Sequence, residues 1–356
     1  MESLLGPLLS LWRRERTAER PLALGILVRT LGSTYQRPGA LLLISSSGAY
    51  AGLISGGCLE GDLAEHARAV IASGLARMVE YDLRDPKDLI WGLGAGCEGA
   101  MHVLLVRVGP REDWEPLSTL AQAYHAHRPA AVGLIARSED AQLPLGTVFG
   151  AGRDPCELSA TARAALAAAP TAEAPSWYTE PGRYALFVLP LALPPRLLVL
   201  GAGPDALPLM RIAGELNWKI TIADRREDSA AAEHFAAAER IVLSQPQMLT
   251  ETVPLSAFDA AVVMSHQLHA DRDYLRALAH SPIPYIGLLG PPARRDRLLA
   301  DLGPDAHRLA GRLHAPVGLN LGGRSPQAIA VSIVAQILAH RHRRLGRIEP
   351  RAPGST

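Results

Sequence analysis

The sequence predicts an α/β protein of two domains: a mixed α/β half, then a doubly wound parallel sheet. Two observations carry this. Short, continuously apolar strands alternate with helical segments after residue 195, the pattern of a parallel sheet covered on both faces. The 356 residues also exceed what one core of about 150 residues organises. We expect boundaries at 1–190, 191–346 and a polar tail at 347–356, with Leu191–Pro195 (LALPP) as the joint.

The first half opens with an amphipathic helix that packs Leu4, Leu5, Leu8, Leu9 and Trp12. A buried strand follows at 22–30, then a hairpin from 41–45 and 50–54 around Ser-Ser-Gly. Apolar residues at helical spacing predict a helix over 59–73 (Leu59, Leu63, Ala67, Val70, Ile71). Further strands are expected at 101–108, 130–136 and 184–190, with helices at 116–127 and 155–169. The second half reads as strands at 196–200, 219–223, 259–264 and 285–289. Its helices are expected at 204–216, 271–280, 292–300 and 325–340.

Composition excludes several function classes. Lys+Arg number 36 against Asp+Glu 35, a net charge of +1, so neither a nucleic-acid binder nor a polybasic membrane-surface protein is expected. No apolar run reaches the roughly 18 residues of a spanning helix. The first twenty residues lack a basic start and place their arginines after the apolar part, the wrong order for a signal peptide, so a cytoplasmic protein is expected. The three cysteines, Cys58, Cys97 and Cys156, form neither a disulfide framework nor a zinc-ligand spacing. Any important cysteine therefore acts singly.

Three segments carry chemistry. The strand at 196–200 runs into Gly201-Ala202-Gly203-Pro204-Asp205-Ala206, a G-x-G-x-x-A turn that opens a helix. Gly201 permits the turn, Gly203 the approach of a pyrophosphate, and Ala206 close helix-strand packing. Asp224, 21 residues after Gly203, stands where an acid takes a ribose diol. These features predict a Rossmann-like domain and allow NAD(P). Asp205 argues against occupancy, because a carboxylate at the helix start satisfies its positive end and repels a pyrophosphate. Arg225 and Arg226 leave NAD against NADP open.

The other two are glycine-cysteine loops, Ser55-Gly56-Gly57-Cys58-Leu59-Glu60-Gly61-Asp62 and Trp91-Gly92-Leu93-Gly94-Ala95-Gly96-Cys97-Glu98-Gly99. Glycines let a ligand approach backbone, and a cysteine ahead of a helix is favoured as thiolate, with Glu60 and Asp62 opposing that shift. The residues alone favour a packed small side chain over a reactive thiol at both cysteines. The segment 32–39 adds hydroxyls, an amide and the Arg37 guanidinium, suited to an anionic ligand or to an ordinary polar turn.

Six segments in this order are similar to the XdhC/CoxI family, which matures molybdenum hydroxylases. They are GSTYQRPGALLLI (32–44), GLISGGCLEGDLAEHA (52–67), GLGAGCEG (92–99), LLVLGAGPDALPLMRIAGELNWKITIADRR (197–226), YIGLLGPPARRDRLL (285–299) and APVGLNLGGRSPQAIAVSIVAQILA (315–339). GAGCEG and GLLGPPARR resemble the CoxI-like branch. The resemblance implies a chaperone that binds the molybdenum cofactor (molybdopterin) and delivers it to an apo molybdenum hydroxylase, in some members with a cysteine desulfurase or sulfurase. It assigns a functional thiol to Cys58, as ligand to molybdenum or as sulfur carrier, and extends to Cys97. Gly56, Gly57, Cys58, Cys97, Gly201, Gly203, Asp224, His266 and Arg37 are the expected cofactor-binding residues. Gln267 stands where the family often has an acid. His266 and His269 form a possible metal pair without an evident third ligand, and a capping or packing role is the stronger reading. The expected crevice lies between the halves, with Cys58 facing the loops at 201–206 and 265–269. A homodimer is consistent with docking large partners. The competing reading is an NAD(P)-dependent oxidoreductase, for which no hydride-transfer partner is evident; a persulfide-carrying sulfur transferase is the third.

Overall fold

The computed structural model describes residues 5–82, 84, 99–150, 157–226, 235 and 238–343. The chain divides between Leu193 and Pro194 into an N-terminal and a C-terminal unit.

The N-terminal unit contains two antiparallel sheets. The first has the order β3-β2-β1-β5-β4, built from β1 (Leu22–Gly32), β2 (Leu41–Ser45), β3 (Tyr50–Gly52), β4 (Arg77–Asp82) and β5 (Gly99–Val108). The second has the order β7-β6-β9-β8, from β6 (Ala131–Ser138), β7 (Val148–Phe149), β8 (Ser176–Glu180) and β9 (Tyr184–Pro190). Its helices are α1 (Leu5–Thr17), α2 (Glu60–Ser73), α3 (Leu117–His125) and α4 (Ala160–Ala168).

Strand periodicity explains the layering. Along β1, Leu22, Leu24, Ile26 and Val28 enter a core shared with α1, α3 and the second sheet's Val132, Leu134, Phe187 and Leu189. The intervening Ala23 and Leu27 enter another core against α2. Successive side chains of a strand point to opposite faces, so an uninterrupted apolar run marks a sheet covered on both sides. The second sheet repeats this through β9, whose Tyr184, Leu186 and Val188 pack toward α4.

The C-terminal unit is a six-stranded parallel sheet of order β12-β11-β10-β13-β14-β15. The strands are β10 (Arg196–Leu200), β11 (Lys219–Asp224), β12 (Arg240–Leu243), β13 (Ala260–Val263), β14 (Tyr285–Leu288) and β15 (Leu313–His314). Counted from β10 this is 3-2-1-4-5-6, the doubly wound Rossmann order with its switch point between β10 and β13. Leu197 and Val199 face α5 (Ala206–Glu215) and α9 (Pro326–Arg341). Leu198 and Leu200 face the layer of α6 (Leu249–Thr252), α7 (Leu268–Ala279) and α8 (Pro292–Leu302). No helix among the described residues is long and apolar enough to cross a membrane.

Several expectations shift. The hairpin's second strand stops at Gly52, whose φ of +93° is left-handed and whose Cβ position is blocked by the Leu41 carbonyl. The helix expected over 155–169 begins at Ala160, because the Ser159 hydroxyl caps it by accepting the Ala162 N–H at 3.3 Å. Residues 155 and 156 lie outside the described residues, as does Leu4. Strands β4, β7, β8, β12 and β15 were not expected from the sequence.

A histidine cluster predicts an acid sensitivity for the C-terminal unit. His314 stacks on Tyr285 with centroids 4.5 Å apart, and His340 meets the same ring edge-on at 5.3 Å. Burial lowers the pKa of both histidines, and His340 lowers that of His314 further. The unfolded chain then binds protons first, so stability is lost as pH falls through the ordinary histidine value of 6.5. The melting temperature should be lower at pH 5.5 than at 7.5, and His314→Phe should shrink that difference; an unchanged difference would count against the cluster as its source.

Candidate functional site

In the N-terminal unit the glycine-cysteine loop arches between two buried anchors. Ile54 and Leu59 are sunk in the core over α2, whereas Gly56, Gly57 and Cys58 are exposed. A buried clasp fixes the base of the arch. The Glu60 carboxylate accepts the N–H groups of Ser55 at 2.8 Å and Ile54 at 3.2 Å, and also the Ser55 hydroxyl. The Ser55 oxygen in turn accepts the N–H groups of Leu59 at 3.0 Å and Gly57 at 3.3 Å. Burial alone would raise the Glu60 pKa; the hydrogen bonds from Ser55 and the neighbouring backbone outweigh it and hold the carboxyl below its usual range. Gly57 has a φ of +107°, a left-handed conformation that suits glycine, and the space at its Cβ position is open.

This geometry corrects two sequence expectations. Cys58 is not a packed small side chain, since it is exposed. Glu60 does not stand beside the thiol as a free first-turn acid, because it folds back onto residues 54 and 55. Asp62 is also engaged, accepting the Tyr81 hydroxyl at 2.5 Å with the His66 Nε2 at 3.4 Å.

The polar segment 32–39 leaves the first sheet beside this arch. Gly32 pairs with Gly99 in the β1–β5 ladder, so the segment 32–39 leaves the sheet where β5 begins. A Cβ on Gly99 would strike the Ser33 carbonyl and, at 2.6 Å, the Thr34 methyl. A Cβ on Gly56 would lie 3.8 Å from the Tyr35 ring. Thr34 is buried and donates its hydroxyl to the Gln36 carbonyl at 2.8 Å, while Arg37 is exposed on the same segment. Cys97 lies outside the described residues.

The C-terminal unit brings Gly201, Gly203, Asp224 and His266 together at the switch point. Gly201 has φ +122°, and a Cβ there would sit 2.6 Å from the Met264 carbonyl at the end of β13. Asp224 is buried at the end of β11. One of its oxygens accepts the Ala202 N–H at 2.7 Å and Arg226 Nη2 at 3.0 Å; the other accepts the Arg226 N–H at 2.9 Å and Nε at 3.1 Å. Burial would raise this carboxyl, and the Arg226 guanidinium with the backbone N–H groups holds it below its ordinary value. His266 is exposed, has φ +60°, and its Nε2 lies 2.7 Å from an Asp205 carboxylate oxygen. Arg225 donates to the Gln267 side chain at 2.7 Å.

Sequence reasoning passed over the group that shapes this turn. Asp271 is fully buried and accepts the Ser265 hydroxyl, the Ser265 N–H at 3.3 Å and a two-pronged contact from Arg294 at 2.7 and 3.2 Å. Gly290 (φ +133°) makes room for Arg294, whose Cδ would lie 2.6 Å from a Cβ there. The signal was present as an acid five residues after His266 and as the arginine pair after Pro292. His269 is exposed, and no group of three His, Cys, Asp or Glu residues that could hold a metal occurs among the described residues.

Comparison with known proteins places this architecture. Residues 197–337 match the XdhC Rossmann domain, and residues 15–82 match the XdhC and CoxI family. The chain is 30% identical over 321 residues to a Bacillus subtilis protein named as a probable subunit of xanthine dehydrogenase, covering 90% of this chain and 93% of that protein. It is 23% identical to the molybdenum cofactor insertion chaperone PaoD of Escherichia coli, over 88% of this chain and 82% of PaoD. A crystal structure described as a xanthine dehydrogenase from Bacillus halodurans aligns with a TM-score of 0.76 at 27% identity, over 96% of this chain and 97% of that one. With its antiparallel N-terminal sheets and its 3-2-1-4-5-6 parallel sheet, the chain belongs to the XdhC and CoxI family.

Proposed function

We propose that this protein is a maturation factor for a xanthine dehydrogenase-like molybdenum hydroxylase, one that binds molybdopterin-type molybdenum cofactor as cargo and passes it to the apo-enzyme. The observation that carries the reading is the exposed Gly56-Gly57-Cys58 arch on its buried Ser55–Glu60 clasp. A soft thiolate suits molybdenum, and glycine backbone lets N–H groups approach a pterin phosphate. The segment with Tyr35 and Arg37, adjacent to the arch, adds an aromatic face and a cation for an anionic cargo. Family membership and the similarity to a cofactor insertion chaperone support the same reading.

The oxidoreductase reading receives less support, because the groups that would meet a dinucleotide are already engaged: Asp224 with Ala202 and Arg226, and Asp205 with His266. The test is to express the full chain in a cofactor-producing bacterium and quantify co-purifying molybdenum and oxidised pterin fluorescence. Both should be present in wild type and strongly reduced in Cys58→Ala. Binding retained by the variant would dismiss the thiol while keeping the cargo. No binding by either, even after anaerobic loading with free cofactor, would overturn the proposal.

A further inference from the structure

We infer that the phosphate cradle of the C-terminal unit is closed by its own carboxylate, and that Asp205 is the specificity-determining residue that bars phosphate-bearing nucleotides from it. The backbone of the cradle is intact. A strand, a G-x-G-x-x-A turn and a ten-residue helix stand at the switch point of a 3-2-1-4-5-6 sheet, where a pyrophosphate is ordinarily held. Gly201 is left-handed as the turn requires, and Ala206 is fully buried against the sheet.

The cradle is nevertheless filled. Asp205 occupies the N-cap position of α5, yet its side chain makes no capping hydrogen bond. It folds back over the turn, with one oxygen 2.7 Å from the Cβ position of Gly203. That oxygen is buried and has no hydrogen-bond partner among the described residues. The other meets His266 Nε2 at 2.7 Å. An acceptor left without a donor is unfavourable unless a positive field compensates it. The helix start supplies such a field, and the imidazole reaching across from the end of β13 fastens the carboxylate in place. The absence of a β-carbon on Gly203, which elsewhere admits a pyrophosphate, here admits Asp205.

A second, independent closure lies at the ribose position. Both oxygens of Asp224 are engaged by the Ala202 N–H and by Arg226, so the acceptor for a ribose diol is internally satisfied too. The crevice thus carries an internal anion in place of a phosphate and an internal cation in place of a diol. Its chemistry predicts a latent site for inorganic phosphate or a nucleoside diphosphate, which opens when the carboxylate is removed.

The experiment is calorimetric titration of the full chain with inorganic phosphate and, separately, with NAD+. Wild type should show no saturable binding of either at millimolar concentration. Asp205→Ser should bind phosphate at least about tenfold more tightly than wild type. Adding Arg226→Ala, which removes the guanidinium from both oxygens of Asp224 and leaves its two backbone N–H contacts, should extend the gain to NAD+. Asp205→Asn keeps the side-chain shape and drops the charge, so it supplies the same comparison if the serine variant melts early. Wild type binding either probe as tightly as the variants would overturn the inference. So would variants that melt like wild type and gain no affinity for phosphate. Neither result bears on cargo binding at Cys58, which is read by molybdenum content.

Discussion

Asp271→Ala should destabilise the C-terminal unit by about 3–5 kcal/mol, the range for breaking a buried ion pair by removing one partner. The cost arises on three sides. Arg294 is left without its two-pronged carboxylate, Ser265 loses the acceptor for its hydroxyl and N–H, and a cavity opens beneath the turn at the end of β13. The turn holds His266 in a left-handed conformation that a non-glycine residue adopts only when its surroundings impose it. Circular dichroism melts should therefore show a large drop for Asp271→Ala. Asp271→Asn, which keeps most of the shape, should fall between it and wild type. A loss below about 1 kcal/mol for the alanine variant would mean that the pair does not support the turn.

Glu60→Ala and Cys58→Ala should separate support from contact. Glu60 is buried and accepts three hydrogen bonds at the base of the arch, so its loss should cost about 2–4 kcal/mol. Cys58 is exposed, and its replacement should leave the melting temperature within about 1 °C of wild type. Both variants should lose co-purifying molybdenum, the first because Gly56, Gly57 and Cys58 are no longer held, the second because the thiol is gone. The clasp also predicts a pH dependence. The folded-state pKa of Glu60 is depressed, so its contribution is present above the ordinary carboxylate range and is lost as pH falls through the folded value. Wild type should lose more stability than Glu60→Gln on going from pH 6 to about pH 3. Equal losses in the two proteins would place the acid sensitivity elsewhere.

These two predictions concern residues that the sequence displayed without declaring their role. Glu60 read as a first-turn acid opposing a thiolate; the turn of chain at Ser55 brings it inside instead. Asp271 lies five residues after His266, and nothing in that spacing points to Arg294, 23 residues away. Hydrogen-bond networks between distant residues leave no periodicity to detect. The strands that escaped detection tell the same story. β8 has a largely exposed pattern and β15 is two residues long; each is a strand because a neighbour, β9 or β14, presents a ladder to pair with.

Elements whose burial is written locally are legible in the chain. Continuous apolar runs specify β1, β9, β10 and β14, helical spacing specifies α2, α5 and α7, and the glycine turn at 201–206 specifies where the parallel sheet begins. The sequence also displays the chemistry on offer, namely a Gly-Gly-Cys turn, a neighbouring polar segment and a strand-turn-helix cradle. Tertiary structure alone decided how that chemistry is deployed. The antiparallel register of β1 with β5 brings Gly32 to Gly99, and core packing of Ile54 and Leu59 lifts Cys58 into solvent. At the switch point, the return of the chain at 264–267 sets His266 against Asp205. Local sequence fixes what a residue can do; which partner stands opposite follows from register and packing, summed over the whole unit.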